Sequence, residues 1–412
     1  MSFLLRVILP VIIIFLVEFY FMRKIINGTH EFFPNISSKK VKRIVRAVLA
    51  YINIYPLYIL IAWLLSSQTR VDLPDAWWFH YLIIYPFWIS ILIIIQTILI
   101  LLLIDLLRII FFPLFRKYRV KVNSYARKFT FILTFFFILY VPGRIVYDYF
   151  TVSIRITEFN VQNLHPDLQG LKITFISDIQ ADRYTDRTRL DKYIKKVNST
   201  KPDIVLIAGD LITSTPNYIN LAAEMVGKIK AKYGVYSCLG DHDHWSYRQD
   251  HKRSIREMTE ALAKYNTRMI DNENLELQIK NAKMKLSFVT NTYVNRLEGP
   301  LLDSLLYTNG YDFKTLIVHQ PGDSLIEKAR TYNYNLFLAG HTHGGQVTFI
   351  FPYLKISPTM FETQYMRGDF YFDDMLMIVN RGLGMSLIPF RLNSTPEVTV
   401  IVLNDKKELS AN

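Results

Sequence analysis

The stretch Asn335–Val347, NLFLAGHTHGGQV, decides how this chain is read. Leu336, Phe337, Leu338 and Ala339 form a continuous apolar run of the kind a strand buried on both faces requires, and Gly340 opens a glycine-rich turn. His341 and His343 stand in that turn as an i, i+2 pair. Imidazole is the commonest side-chain ligand for transition metals, and Gly344 and Gly345 let backbone approach an ion or anion closely. By itself the pair reads more readily as two solvated histidines on a turn. The rest of the chain has to decide.

At 412 residues the chain exceeds one typical domain, and 51% hydrophobic residues with 14% aromatics is high for a protein wholly in water. The net charge of +13 is unevenly placed. Residues 1–150 hold 17 Lys/Arg against 6 Asp/Glu, whereas the remainder holds 31 against 29. The basic excess therefore belongs to the hydrophobic part, which argues against a nucleic-acid footprint on the second part; no nucleic-acid partner is expected. The single cysteine, Cys238, excludes an intramolecular disulfide and a cysteine-rich zinc module.

Four apolar segments predict membrane spans within residues 1–150: 4–22, 47–66, 81–104 and 129–146. Arg23, Lys24, Lys39, Lys40, Lys42, Arg43 and Arg46 lie between the first and second. Arg108, Arg116, Lys117, Arg119, Lys121, Arg127 and Lys128 lie between the third and fourth, while the intervening loop has Arg70 beside Asp72 and Asp75. The positive-inside rule then puts the basic loops in the cytoplasm and residues 151–412 outside it, the expectation for an integral membrane protein whose second part is extracytoplasmic. The basic runs themselves read as solvated interfacial charge without a specific ligand.

From residue 151 the pattern changes to short apolar runs at 171–176, 204–208, 235–239, 286–289, 316–318 and 336–339, with 375–379 and 397–403 later. Amphipathic stretches such as 186–198, 255–265 and 324–332 separate them. This alternation predicts an α/β domain with a largely parallel centre. Polar clusters follow the runs directly: Ser177-Asp178-Ile179-Gln180, Gly209-Asp210, Gly240-Asp241-His242-Asp243, His319-Gln320-Pro321 and Gly340-His341-Thr342-His343. Strand ends are where α/β sheets place their sites, and five such clusters in this order make the metal reading the stronger one.

These residues resemble the calcineurin-like metallophosphoesterases, whose pattern is D-x-H, G-D, G-N-H-[ED], an isolated His and G-H-x-H. Asn380-Arg381-Gly382-Leu383-Gly384 and Tyr365-Met366-Arg367-Gly368 are similar to a bacterial membrane-associated branch of that family. The resemblance covers about residues 171–403. It implies a two-layer β-sandwich flanked by helices, a dinuclear metal centre, and hydrolysis of a phosphomonoester or phosphodiester by a metal-activated water. Carried over by position, Asp178, Gln180, Asp210 and His343 would hold one ion, and Asp210, Asp241, His319 and His341 the other. His242 would then protonate the leaving oxygen, with Asp243 orienting its imidazole.

Two positions depart from that pattern. Gln180 replaces a histidine and Asp241 replaces an asparagine, so the donor set is richer in oxygen and more anionic. Manganese or magnesium is therefore favoured over iron or zinc. Asp182 either assists at the first ion or is simply solvated. His244 either lines the substrate pocket or closes its loop, and Arg381 either contacts substrate phosphate or makes a structural salt bridge. The aromatic run Phe349–Leu354, continuing to Phe361 and Tyr365, either rests on the bilayer and admits a lipid-linked substrate or packs as core. Expected partners are the lipid bilayer and a phosphoester, a lipid-linked one included; the oligomeric state is left open. The rival readings are a lipid-nucleotide pyrophosphate hydrolase and a catalytically degenerate, membrane-tethered binding or scaffold module.

Overall fold

The computed structural model describes residues 3–65, 73–307 and 309–406. The chain divides into two units: Met1–Val146 with Phe349–Lys355, and Tyr147–Thr348 with Ile356–Asn412.

The first unit is built from helices α1 (Phe3–Phe32), α2 (Ser38–Ile52), α3 (Ile54–Leu65), α4 (Trp77–Ile110) and α5, which begins at Phe112 and runs on to Phe150. Among the described residues, α4 and α5 are long and apolar enough to cross a membrane. The pair α2 and α3, bent by 40° at Asn53, makes a third if it is one span. Predicted spans 81–104 and 129–146 fall inside α4 and α5, 47–66 falls over α2 and α3, and 4–22 falls inside α1. Ser66, Arg70 and Asp72 lie outside the described residues. Pro142 does not end α5, because a span tolerates the backbone bond that proline removes when neighbours make good the loss. Polar groups between the helices are paired: buried Glu18 accepts from Asn53 Nδ2 at 2.8 and 2.9 Å, at the bend. Gln96, fully buried in the middle of α4, donates to the Ile350 carbonyl and accepts from the Ile350 N–H, both at 2.7 Å. That two-way amide explains why Phe349–Lys355 groups with the helices although it follows the histidine turn in sequence.

The second unit holds β1 (Ser153–Val161), β2 (Lys172–Ile176), β3 (Ile204–Ile207), β4 (Val235–Ser237), β5 (Thr267–Met269), β6 (Glu273–Ile279), β7 (Ala282–Val289), β8 (Phe313–Val318) and β9 (Leu336–Ala339). The short β10 (Phe349–Phe351) and β11 (Leu354–Ile356), which pair with each other, go with the helical unit up to Lys355, and β12 (Gly368–Phe372), β13 (Met375–Val379) and β14 (Glu397–Asp405) complete the second unit. Two six-stranded sheets result, in the orders β1-β14-β2-β3-β4-β5 and β12-β13-β9-β8-β7-β6. Strands β2 to β5 run parallel, as do β7, β8, β9 and β13.

Alternation along each strand builds the layers. Phe175, Leu206, Leu286, Phe288, Leu338 and Ile378 share the core between the sheets. Their neighbours Ile176, Val205 and Ile207 face outward onto helices Arg187–Ser199, Ile219–Val226 and His251–Ala263. On the other sheet, Val289, Phe337, Ala339 and Met377 pack against Gly299–Leu306 and Asp323–Thr331. Because both faces are covered, these strands read as unbroken apolar runs rather than alternating ones. Each such side chain gains about 1.5–3 kcal/mol from burial, so the strand ends are anchored on a rigid base.

Candidate metal centre

Five of the expected ligand residues leave their strands in the left-handed backbone region: Asp178 (φ 51°), Gln180 (52°), Asp210 (56°), His341 (70°) and His343 (49°). For residues with a side chain this costs about 1–3 kcal/mol each, a strain that clusters where geometry must be held for function. Glycines allow the loops to close on one another. A Cβ at Gly240 would lie 2.2 Å from Asp210 Oδ1, and one at Gly340 would lie 2.8 Å from Asp178 Oδ2.

The result is a buried cluster. Asp178, Asp210, Asp241 and Asp243 are each at most 1% exposed, and His319 is fully buried. His319 Nε2 lies 3.3 Å from both Asp210 Oδ2 and Asp241 Oδ2, while its Nδ1 donates to the Ala208 carbonyl at 2.7 Å. His341 Nδ1 lies 3.2 Å from Asp241 Oδ2 and its Nε2 2.7 Å from Glu362 Oε1. His343 Nε2 lies 3.6 Å from Asp178 Oδ1. Gln180 Nε2 donates to Asp210 Oδ2 at 2.8 Å, and its Oε1 is buried without a partner. The ligand atoms of Asp241, His319 and His341 lie within 4.8 Å of one another, as do those of Asp178, Asp210 and His319.

The charges follow from the packing. Burial works against charge on His319, but Asp210 and Asp241 outweigh it and hold its pKa well above the ordinary value. His341 is likewise opposed by burial, yet Asp241 and Glu362 raise it to about 9. Burial and then the Arg391 guanidinium hold His343 well below the usual range. Asp243 is pushed up to about 7 by burial and by the Asp210 carboxylate.

These residues fit divalent cations. Among the described residues, the ion-pair partners of the buried carboxylates are imidazoles, and a carboxylate out of water needs a cation or a proton. His319 Nε2 is a buried ring nitrogen with no hydrogen-bond partner, aimed between two carboxylates and fixed from behind by a carbonyl, the arrangement that orients a metal-ligating histidine.

Several expectations change. Asp243 does not orient His242: its carboxylate accepts from the backbone N–H groups of Gly240, Asp210 and Leu211 at 2.8–2.9 Å, fixing the two loops together. The Thr213 carbonyl accepts from His242 Nδ1 instead, leaving Nε2 at 3.1 Å from Ser386 Oγ and 4.0 Å from Asp210 Oδ2. Arg381 makes the structural salt bridge, to Glu397 at 3.2 Å. His244 is buried at 1% exposure, with its ring against His251, and does not line the cavity beside His341. Asp182 spends its oxygens on the N–H groups of Tyr184 and Thr185 and on the Thr213 hydroxyl. Sequence reasoning also missed Glu362, Tyr293 and Arg391. Tyr293 donates its N–H to Asp241 Oδ1 at 2.6 Å and its hydroxyl to Glu362. Arg391, 1% exposed, donates to the carbonyls of Gly384, Arg381, His343 and Ser394 and faces His343 Nδ1 at 3.4 Å.

Comparison with known proteins shows the family. A family profile, calcineurin-like phosphoesterase, matches residues 171–345. An uncharacterized metallophosphoesterase of Bacillus subtilis is 30% identical over 240 residues, covering 57% of this chain and 79% of that protein. The chain belongs to the calcineurin-like phosphoesterase family. Within it, similarity extends to a bovine (Bos taurus) transmembrane protein with metallophosphoesterase domain, 27% identical over 61% of this chain and 57% of that protein. An uncharacterized metallophosphoesterase of Campylobacter jejuni is 28% identical over 62% of this chain and 64% of its own length. The chain therefore spans little more than half of the bovine phosphoesterase relative, and its likeness runs to bacterial and animal members alike.

Proposed function

We propose that this chain is a membrane-anchored, metal-dependent phosphoesterase that hydrolyses a phosphomonoester or phosphodiester. The observation that carries the reading is His319 Nε2, fully buried and aimed between Asp210 Oδ2 and Asp241 Oδ2 at 3.3 Å from each. Asp178, Asp210, Gln180 and His343 would hold one divalent ion, and Asp210, Asp241, His319 and His341 the other, manganese or magnesium being favoured by the oxygen-rich set. When bound, such a pair offsets the negative charge of the ester and acidifies water enough for attack at neutral pH.

The protein's own groups do the rest. With Nδ1 committed to Thr213, His242 presents Nε2 as the nitrogen that carries and gives up a proton to the leaving oxygen. The ring of Trp245 lies edge-on against it at 5.0 Å and limits its rotation. Asp243 holds the Asp210 and Gly240 loops at fixed separation. A cavity of ≈ 290 Å³ beside His341 is lined by Asn291, Arg296, Gln320 and Glu362 on its polar side and by Leu297, Leu302 and Leu325 on its apolar side, so it suits a substrate portion of mixed character.

A lipid-linked ester is favoured by what surrounds those groups. Phe361 is 96% exposed and adjoins Glu362, which contacts His341; Leu387 is 95% exposed and adjoins Ser386, which contacts His242. Large apolar side chains so fully exposed beside a polar site suit a substrate whose acyl part stays in lipid. The charge asymmetry of the loops supports an extracytoplasmic site, which a reporter fused after residue 412 tests directly.

The activity test uses the full chain in detergent micelles, with a chromogenic monoester, a chromogenic diester and a phospholipid-type ester in mixed micelles. Turnover should appear with Mn²⁺ and, in Asp210→Asn, fall by more than the roughly 100-fold that losing a group behind a metal ligand costs, because that substitution removes the carboxylate both ions would share. Wild type that binds fewer than two ions and turns over none of the three esters would instead support the binding or scaffold reading.

A further inference from the structure

The helical unit contains a cavity of ≈ 460 Å³ whose lining includes four cationic side chains, Arg23, Lys24, Arg108 and Arg127, and one carboxylate, Asp105. These cations come from three helices: Arg23 and Lys24 follow the apolar segment 4–22, Arg108 follows 81–104, and Arg127 precedes 129–146. Each lies just beyond an apolar segment, on the side of the basic loops, and Phe19, Leu101 and Ile104 line the cavity from within those segments. The cavity thus has a cationic part at headgroup level and an apolar part at acyl level.

Its charges are only partly balanced. Asp105 accepts from Lys24 at 2.5 Å, Tyr20 at 2.8 Å and Arg108 at 3.1 Å. Arg127 pairs with Glu31 at 2.7 Å. Arg23 pairs with no carboxylate among the described residues; its guanidinium lies 5.8 Å from the Phe19 ring. Four cations against Asp105 and Glu31 leave two positive charges over, and Arg108 also donates to Asn123 on the facing helix, which fixes its fork in place. Among the many basic residues of these loops, this group converges from three helices on one open cavity.

We propose that this cavity binds the phosphate headgroup of an anionic phospholipid from the leaflet bordering the basic loops. Basic recesses between membrane helices on that side recognise such headgroups by charge, and the apolar wall accounts for the adjoining chain. The site is separate from the metal centre and stands whether or not the hydrolase reading does.

The test is retention of lipid by the full-length protein, purified from vesicles of equal phosphatidylglycerol and phosphatidylcholine and weighed by native mass spectrometry. Wild type should retain phosphatidylglycerol preferentially, and Arg23→Gln should lower that preference about fivefold, the value of one near-surface cation. Arg23 is chosen because its loss strips neither Asp105 nor Glu31 of a partner, so the fold is spared. Lys39→Gln/Lys40→Gln, in the same loop region but away from the cavity, should leave the preference unchanged. Equal loss in both variants would mean diffuse surface attraction and would overturn the proposal, as would equal retention of the two lipids by wild type. Displacement of the lipid by millimolar inorganic phosphate would assign the cavity to a free anion and overturn it as well.

Discussion

The two halves of the metal centre are prepared to different degrees. On the Asp241 side, each imidazole is fixed through the nitrogen that faces away from Asp241: His319 by the Ala208 carbonyl and His341 by Glu362. Asp241 itself is steadied by Tyr293 N–H and by Gln320 at 2.7 Å. On the Asp178 side, the far nitrogen of His343 faces the cation Arg391, and Gln180 points a donor at the carboxylate shared by both halves. The lesson is that ligand types alone do not set affinity. What stands behind each ligand decides whether its lone pair is already aimed. Two ions should therefore bind unequally, the tighter one on the Asp241 side.

The sharpest way to break this comparison is to remove one imidazole from each half. His319→Ala removes the one imidazole that reaches both Asp210 and Asp241, leaving Asp241 with His341 and Asp210 with the Gln180 amide. Mn²⁺-dependent turnover should fall by more than about 100-fold with loss of the tighter ion, since a direct ligand is removed and not merely a group behind one. His343→Ala should cost clearly less and spare the tighter ion in metal analysis. Equal losses would remove the asymmetry. Next in size is Glu362→Gln, which keeps the side chain but gives His341 Nε2 a neutral partner. Tight-ion affinity should drop roughly 10–100-fold while the weaker ion is unchanged, measured by competition with a fluorescent chelator.

That Glu362 enters here shows what sequence could and could not reveal. Runs such as Leu336–Ala339 and Ile204–Ile207 are apolar because both sheet faces are covered, so strand positions and the polar clusters at their ends were readable from local pattern. The departures at Gln180 and Asp241 were readable for the same reason. Glu362 lies 21 residues from His341, Thr213 lies 29 from His242, and Gln96 lies 254 from Ile350; these partners are chosen by chain closure, which leaves no periodic trace. Asp243 shows the converse failure: its place after His242 suggested a side-chain partner, but three backbone N–H groups at the loop crossing compete for it and win. All four edge strands, β1, β5, β6 and β12, were missed because short or half-exposed strands carry too little apolar signal.

A smaller effect separates the halves by pH. His341 has a pKa of about 9 in the metal-free protein, so below that an ion on its side must displace a proton. Affinity there should rise with pH from 6.5 toward 9 by at least about tenfold per unit, since His319, also held charged by its carboxylates, must give up a proton as well; isothermal titration in buffers of different protonation enthalpy would register it. His343 is held neutral across this range, so affinity on its side should stay flat. The same shift gives the metal-free protein a stability term with a definite sign. The folded pKa of His341 lies above the unfolded one, so its contribution is fully present below about 6.5 and fades as pH rises through 9.

The smallest effect is a gain. In Gln180→His the amide donor that occupies Asp210 Oδ2 is exchanged for an imidazole whose free nitrogen can take a metal, and the unpartnered Oε1 disappears. If the Asp178 side is weak because position 180 supplies a donor where a ligand is wanted, the weaker ion should bind several-fold tighter. Turnover at limiting Mn²⁺ should then rise toward its saturated value, with the saturated rate unchanged. Space is the competing factor, since the Gln180 Cβ lies 2.5 Å from where a Gly384 Cβ would be and the ring must leave along the same path. A lowered melting temperature with no change in metal affinity would mean that the loop, not the ligand, resists the exchange. An unchanged melting temperature with unchanged affinity would mean that Gln180 already turns its oxygen to the ion when one is bound, and the inequality between the halves would then have to come from Arg391 behind His343.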